Sequence, residues 1–438
     1  MKEIIKKIVA KILEWEARLV LARQRPKIIA VTGSVGKTSA KDLIYTVVRS
    51  TFTARKNEKS LNSEFGVPLT ILNLKSAWSS PIGWFLNLCF GLWRSVLPGE
   101  KFKFLVLEIG ADHPGDIKYL SSWTRPKIGI ITGMGNEIPV HVEFFPDIES
   151  LGSEKSELLR VLPEDGRAIL NRDDARVWDM RAESVAKITS YGFSPGANIH
   201  ADNFHTNFPK GISFRVDYAG KSIPVRLSGV IGRGAAYAAL AAFAVGTELG
   251  INVVTIAEAL GKHQFAPGRM RILEGYNNST LIDDTYNSSP AAVKLALETL
   301  HDINLDAEGP SGPSASKSRK IVVLGDMLEL GIYSEQEHKK VGTWIRGIAD
   351  MLVCVGERAK MIGESAIEDG FDPDQVHYCS NSYQAGQLLV SSIQQSDIVL
   401  LKASQSIRLE RATEMLLADP SHSHTLLVRQ EKEWKRKI

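Results

Sequence analysis

Cysteine is scarce. The three in this 438-residue chain, Cys89, Cys354 and Cys379, are widely spaced and odd in number, so they form neither a disulfide framework nor a zinc site, and a reducing cytoplasm is the expected compartment. An excess of one charge is also missing: 53 Lys and Arg stand against 50 Asp and Glu, a net of +3, which gives no reason to expect nucleic acid as a partner. The N-terminus lacks the small-residue cleavage site and unbroken apolar core of an export signal. No internal repeat is visible. Long hydrophobic runs are absent too, since the most apolar stretch, Ile82 to Trp93, falls short of the roughly 20 residues that cross a bilayer. With 44% hydrophobic and 24% charged residues, the composition excludes wholesale disorder. At about 150 residues per domain the length implies two or three domains.

What the chain does contain is alternation. From Pro26 onward, short apolar runs alternate with amphipathic segments, the mark of parallel α/β architecture. Strands are expected at 27–32, 104–108, 128–132, 168–171, 280–283, 320–324, 351–355 and 397–401. Residues 199–227 read as a small patch of antiparallel strands, and GPSGPSASKS at 309–318 as a flexible loop. Pro267 and Gly268 punctuate the main boundary. The expected parts are a basic helix (1–26), a central α/β domain (27–268) and a second α/β domain (269–438).

Two stretches stand outside this pattern. Ile4, Ile5, Ile8, Ile12, Trp15 and Leu19 recur at helical spacing, in a segment whose first 26 residues hold seven Lys or Arg against three Glu. A membrane surface is one partner for such a basic amphipathic helix; packing on the protein's own body is the other. Residues 78–97, WSSPIGWFLNLCFGLWRSVL, carry three tryptophans and a single charge, Arg94. They suit either a membrane interface or a buried or substrate-covering hairpin.

The strand at 27–32 runs into Gly33-Ser34-Val35-Gly36-Lys37-Thr38-Ser39, and a helical pattern begins near Lys37. Glycines let the backbone turn so that successive N–H groups face phosphate oxygens. The helix dipole adds attraction, Lys37 neutralises β/γ charge, and Thr38 can ligate Mg²⁺. Strand, loop and helix in this order point to a nucleotide site. Glu108 ends a later strand, the edge at which α/β sheets present ligands, and its carboxylate could complete an oxygen shell around Mg²⁺ with Thr38.

The loop Thr32-Gly33-Ser34-Val35-Gly36-Lys37-Thr38 resembles the ATP loop of the Mur ligase superfamily, and further segments are similar to its MurF-type members. These are Asn62 with Gly66-Val67-Pro68-Leu69-Thr70, Glu108-Ile109-Gly110-Ala111, Asp283-Asp284-Thr285-Tyr286-Asn287, and Gly325-Asp326-Met327 through His338. The resemblance spans about residues 27–415. It implies a P-loop central domain and a Rossmann-like C-terminal domain. It implies that His141 binds a second Mg²⁺ supported by Lys155, which is commonly carbamylated in related members. It also implies that Arg269, in a Pro-Gly-Arg turn, meets ATP phosphates from the hinge. Asp284, Asn287 and Asp326 are then expected at the nucleotide. Asn62, Lys402 and Ser404 are expected at the substrates, with Arg408 and Glu410 close by. Two departures are plain. Only the basic helix precedes the first strand where MurF enzymes carry a UDP-binding domain, and Gly232-Arg233-Gly234-Ala235 replaces an H-N-x-x-N pattern.

The implied chemistry is ATP-dependent amide formation, in which a substrate carboxylate becomes an acyl phosphate that an amine captures. The expected substrates are a UDP-muramoyl peptide and D-alanyl-D-alanine, handled by a cytoplasmic monomer that contacts the membrane peripherally through residues 1–25 and 78–97. Two alternatives stand beside this. One is a Mur-like ligase for another carboxylate, lipid-linked or folate-like; the other is a membrane-surface scaffold switched by ATP.

Overall fold

The computed structural model describes residues 2–58, 61–97, 99–139, 142–303 and 318–435. Among these, fifteen strands form two sheets. The first contains β1 (Lys27–Thr32), β2 (Ala54–Lys56), β3 (Phe104–Glu108), β4 (Ile128–Ile131), β5 (Arg167–Asn171), β6 (Lys187–Gly192), β7 (Ile199–Asn207), β8 (Gly211–Tyr218) and β9 (Lys221–Ser228), in the order β2-β3-β1-β4-β5-β6-β7-β8-β9. Pairing is parallel from β2 to β7 and antiparallel from β7 to β9. The second contains β10 (Arg271–Glu274), β11 (Thr280–Asp283), β12 (Lys320–Gly325), β13 (Met351–Val355), β14 (Val376–Cys379) and β15 (Ile398–Lys402), in the order β10-β11-β15-β12-β13-β14. All its pairs are parallel except β10 with β11.

The continuous apolar runs are explained by burial on both faces. In β1, Ile29 and Val31 enter one core while Ile28 and Ala30 enter another on the opposite face. The first core is closed by α2 (Lys37–Arg49); the second by α1 (Lys2–Gln24), α3 (Gly66–Ile71), α5 (Asp116–Thr124) and α6 (Ile148–Arg160). Between α3 and α5 lies α4 (Pro81–Val96), and after α6 come α7 (Ala175–Asp179), the alanine-rich α8 (Arg233–Glu248) and α9 (Val253–Gly261). The second sheet is flanked by α10 (Pro290–His301), α11 (Ser334–Gly342), α12 (Lys360–Glu368), α13 (Ser382–Ser392) and α14 (Glu410–Leu416).

Several local expectations change. β2, β6, β10 and β14 are strands that hydrophobic runs did not announce: β2, β10 and β14 are short edge strands with polar or half-buried positions, and β6, inside the first sheet, mixes Lys187, Thr189 and Ser190 among few apolar residues. Residues 78–97 are no hairpin: Ser80 caps Gly83 N–H and Pro81 opens α4. Lys155 sits in the middle of α6, which Asp147 caps one residue before Ile148. The loop expected at 309–318 lies, up to 317, outside the described residues. The three cysteines are free, and among the described residues no helix is long and apolar enough to cross a membrane.

Candidate active site

The register of the first sheet sets Val31 beside Glu108 and Thr32 beside Ile131, so the loop after β1 emerges beside the ends of β3 and β4. Gly33 adopts φ +144° with Thr132 Oγ1 2.2 Å from where a Cβ would stand, so any side chain there would collide. Thr132 donates to Val35 O at 2.6 Å, and Ser34 N–H donates to Gly133 O at 2.6 Å, pinning the loop against the next strand end. Gly36 (φ +81°) precedes α2 and provides no side-chain cap. The first-turn N–H groups of Lys37, Thr38 and Ser39 therefore have no intrahelical acceptor, which is the anion-binding arrangement of a helix N-terminus.

Around this loop lies a cleft of about 410 Å³, lined from the central domain by Ser34 to Ser39, Asn62, Glu108 and Lys155, and from beyond the hinge by Arg269, Asp284, Asn287 and Lys402. Glu108 is its hub. Thr38 Oγ1 donates to Glu108 Oε2 at 2.8 Å and Asn62 Nδ2 donates to Oε1 at 3.2 Å. Arg269 Nη2 donates to Thr38 Oγ1 at 2.9 Å, and its guanidinium lies 3.9 Å above the Tyr286 ring. Arg269 Nε is buried without a hydrogen-bond partner, a donor left for an acceptor such as phosphate. Burial, helped by Arg269, lowers the Lys37 pKa, while Glu108 opposes the shift. Lys155 is pulled down to about 7 by burial and then by the nearby Lys37.

The hinge is tied as tightly. Gly268 (φ +70°) has Tyr286 N 2.9 Å from a would-be Cβ, and its N–H donates to Asp283 Oδ2 at 2.9 Å. Burial pushes the Asp283 carboxyl up to about 6. Asp284 accepts from Met270 N–H and, at 2.5 Å, from Lys402 Nζ, which also donates to Asn287 O at 3.0 Å. Thus Asp284 and Asn287, half-buried, and the buried Lys402 form one cluster at the cleft wall.

Not every expected residue reaches the cleft. Asp326 turns Oδ1 onto Ala359 N–H at 2.8 Å, so it ties the loop after β13 and does not line the cleft. Ser404 turns inward as well, with Oγ accepting from Leu328 N–H at 2.9 Å. Asn62 meets the metal-type carboxylate of Glu108 directly. Arg408 and Glu410 form a buried network with Arg429, whose guanidinium donates to the carbonyls of Thr285 and Tyr286 and to Glu410, bracing the hinge from behind. His141 lies outside the described residues.

Two positioning residues escaped sequence reading. Asn57 Oδ1 accepts from Glu108 N–H at 2.8 Å, its Nδ2 donates to Glu108 O at 3.0 Å, and Lys41 Nζ donates to Asn57 O at 2.9 Å. Lys41 also stands 4.0 Å from Glu108 Oε2. The only available signal was a lysine on α2 four residues after Lys37, the spacing that puts both on one face.

Among the described residues no cluster of three or more His, Cys, Asp or Glu is arranged to hold a metal. Mg²⁺ does not need one, because it keeps several waters and takes one or two carboxylates. The touching hydroxyl of Thr38 and carboxylate of Glu108 are hard oxygen donors that fit it.

Comparison with known proteins gives the same outline. The Mur ligase middle domain matches residues 31–246 and the Mur ligase glutamate ligase domain matches residues 268–405. The chain is 25% identical over 409 residues to the UDP-N-acetylmuramoyl-tripeptide--D-alanyl-D-alanine ligase of Bacillus subtilis (strain 168), covering 93% of this chain and 79% of that one. It resembles the crystal structure of MurF from Acinetobacter baumannii with a TM-score of 0.74 at 24% identity, over 92% of this chain and 79% of that one. The MurF ligase from Thermotoga maritima in complex with ADP matches with a TM-score of 0.73 at 24% identity, over 93% and 83%. These structures establish the fold.

Proposed function

The chain belongs to the Mur ligase family, and from that premise we propose that it is an ATP-dependent ligase of peptidoglycan precursor synthesis joining D-alanyl-D-alanine to a UDP-N-acetylmuramoyl-tripeptide. The named activity of the Bacillus subtilis relative supports the choice of substrates. The observation that carries the reading is the convergence of Thr38, Glu108 and Arg269 from three separate elements beside Lys37. The parts are a basic helix (1–26), a central ATP-binding domain (27–268) and a C-terminal domain (269–438).

In the first step a carboxylate oxygen of the tripeptide attacks the γ-phosphorus of ATP, the bond to the β-bridging oxygen breaks, and ADP leaves an acyl phosphate. First-turn N–H groups of α2 and the Lys37 ammonium hold the phosphates, and Arg269 takes up charge that develops on the moving group. Mg²⁺, held by Thr38 and Glu108, would supply further screening of phosphate charge. In the second step the amine nitrogen attacks the acyl carbon, the C–O bond to phosphate breaks, and the amide forms. No covalent protein nucleophile is needed. Asp284, Asn287 and Lys402 stand on the opposite wall, where nucleotide and incoming amine are brought in by the second domain. Asn62 orients Glu108 and fronts the acceptor.

Burial, then Lys37, pulls the Lys155 pKa down to about 7, so roughly half of it is a free amine at neutral pH. Such an amine adds to CO₂ with loss of one proton to give a carbamate, whose oxygens would serve a second Mg²⁺ together with His141. We place the enzyme in the cytoplasm as a monomer, held peripherally at the inner face of the membrane through residues 1–25 and 78–97.

The test is phosphate release from ATP with D-alanyl-D-alanine, with and without UDP-N-acetylmuramoyl-tripeptide. Release that needs both substrates, with the ligated product found by mass, is the expected result. Release indifferent to every acceptor would overturn it in favour of an ATP switch.

A further inference from the structure

α4 carries apolar side chains on two sides. Inward it buries Gly91 and Ser95 and packs Trp84 and Leu88 on the core, whereas on the other side Ile82, Phe85, Phe90, Trp93 and Val96 are each more than half exposed, Ile82 reaching 73%. Its polar groups turn inward: Asn87 donates to Lys75 O, and Arg94 reaches the carbonyls of Leu72 and Asn73. A helix that shows water its largest apolar side chains on one face is covered by something else.

α1 continues this surface. It packs on the body through Leu13, Ala17 and Val20 and leaves Ile4, Ile5, Ile8, Ile12 and Trp15 exposed. At about 100° per residue these two stripes lie on roughly opposite sides of the helix, so self-packing accounts for only one of them. The two helices are fastened side by side. Arg23 donates to the carbonyls of Ser95 and Arg94, and Gly91 lies so close to Glu16 that a Cβ would stand 2.0 Å from its carboxylate.

Charge identifies the occupant. On α1 Lys7, Lys11 and Arg18 fall along one flank of the apolar stripe at about 100° per residue. Lys11 and Arg18 keep 65% and 50% of their side chains in solvent while both pair with the buried carboxylate of Glu14, so three cations face one anion there, and Glu16 is buried. α4 has no acidic residue. An apolar, tryptophan-bearing face with a basic flank is complementary to an anionic bilayer. A second copy of the chain meeting the same face by two-fold symmetry would set lysines against lysines. At 16 residues, α4 is about 24 Å long, short of the roughly 30 Å hydrocarbon core.

We propose that the outer faces of α1 and α4 together form a docking surface for an anionic lipid bilayer, with both helices lying in the plane of the interface. This deepens the peripheral placement above and rests on that reading only for which face of the membrane is met. The full chain should sediment with vesicles of phosphatidylcholine mixed with phosphatidylglycerol, about tenfold less with phosphatidylcholine alone, and less at high salt. A double variant Phe85→Glu, Trp93→Glu changes only exposed positions. It should keep the circular dichroism and solution ligase activity of the parent and lose vesicle binding about tenfold. Lys7→Glu, a charge reversal on the flank of the stripe, should weaken the preference for the anionic vesicles. Absence of binding to either vesicle, binding indifferent to lipid charge, or a lipid-free dimer that the double variant dissociates would each overturn the proposal. Vesicle binding without any ligation overturns the ligase reading alone, and ligation without vesicle binding overturns this one alone.

Discussion

Arg269 Nη2 donates to Thr38 Oγ1 at 2.9 Å across 231 residues of chain, so the hydroxyl that follows the phosphate-loop lysine touches both the hinge arginine and, through its own proton, Glu108. The contact spans the cleft between the two sheets. With Nε buried and unpartnered, the guanidinium is a donor held ready for an oxygen that only ATP brings. Arg269→Ala should therefore lower kcat by about a hundredfold, the usual cost of removing one donor aimed at developing charge, with a smaller change in KM for ATP. Arg269→Lys should recover little, since an ammonium does not reproduce the fork. Equal losses in kcat and in nucleotide affinity measured by equilibrium titration would instead mark a ground-state contact.

Glu108 is held at both ends. Its backbone is locked by Asn57 and its carboxylate by Thr38 and Asn62. Glu108→Gln keeps shape and most of these bonds but removes the charge. The expected outcome is unchanged thermal stability and a Mg²⁺ concentration for half-activation raised about tenfold, read from initial rates across a Mg²⁺ series. Lys41→Met, which reaches Glu108 through Asn57 and across 4.0 Å and also loses the pair with Asp42, should move the same value less.

Lys155 allows a spectroscopic check. Burial, then Lys37, depresses its pKa to about 7; the neutral amine therefore grows as pH rises through 7, and with it the form that adds CO₂. Protein equilibrated with ¹³C-bicarbonate should show a carbamate carbonyl signal that strengthens from pH 6 to pH 8 and vanishes in Lys155→Arg. A signal that stays constant across this range, or survives the substitution, counts against a carbamate at this lysine.

How much of this was legible before the structure depends on how local each feature is. The loop Gly33 to Ser39 could be read outright, because strand, turn and helix start are contiguous and glycine has a steric reason at position 33. The pairing of Thr38 with Glu108 followed from strand ends at one edge of a sheet, whereas the arrival of Arg269 was legible only through resemblance, since no periodicity ties residues so far apart. Asn57 was hidden for the same reason: its side chain bonds the Glu108 backbone on β3, and its carbonyl accepts from the Lys41 side chain on α2. Asp326, expected at the nucleotide through resemblance, is instead claimed by Ala359 N–H, with the left-handed Gly356 packed against its carboxylate, contacts that no local pattern announces. For α4 the apolar pattern was plain but its sense was not, since hydrophobic spacing says that a face is covered without saying by what.

Glu16 provides the last test, at the joint between α1 and α4. It is 1% exposed, Oε2 has no hydrogen-bond partner, and burial raises its carboxyl to about 7. An acid whose pKa is higher folded than unfolded favours the native state through its neutral form. That contribution is complete below the unfolded value of about 4.5 and is lost as pH climbs through 7. Glu16→Gln keeps the shape and cannot ionise. It should stabilise the protein at pH 8 by about 2 kcal/mol and leave stability nearly unchanged at pH 4.5, as read from urea-unfolding midpoints at the two pH values. Since Gly91 approaches this carboxyl so closely, Gly91→Ala should push the helices apart and destabilise at both. A gain from Glu16→Gln of equal size at pH 4.5 and pH 8 would mean that packing, and not ionisation, governs the joint.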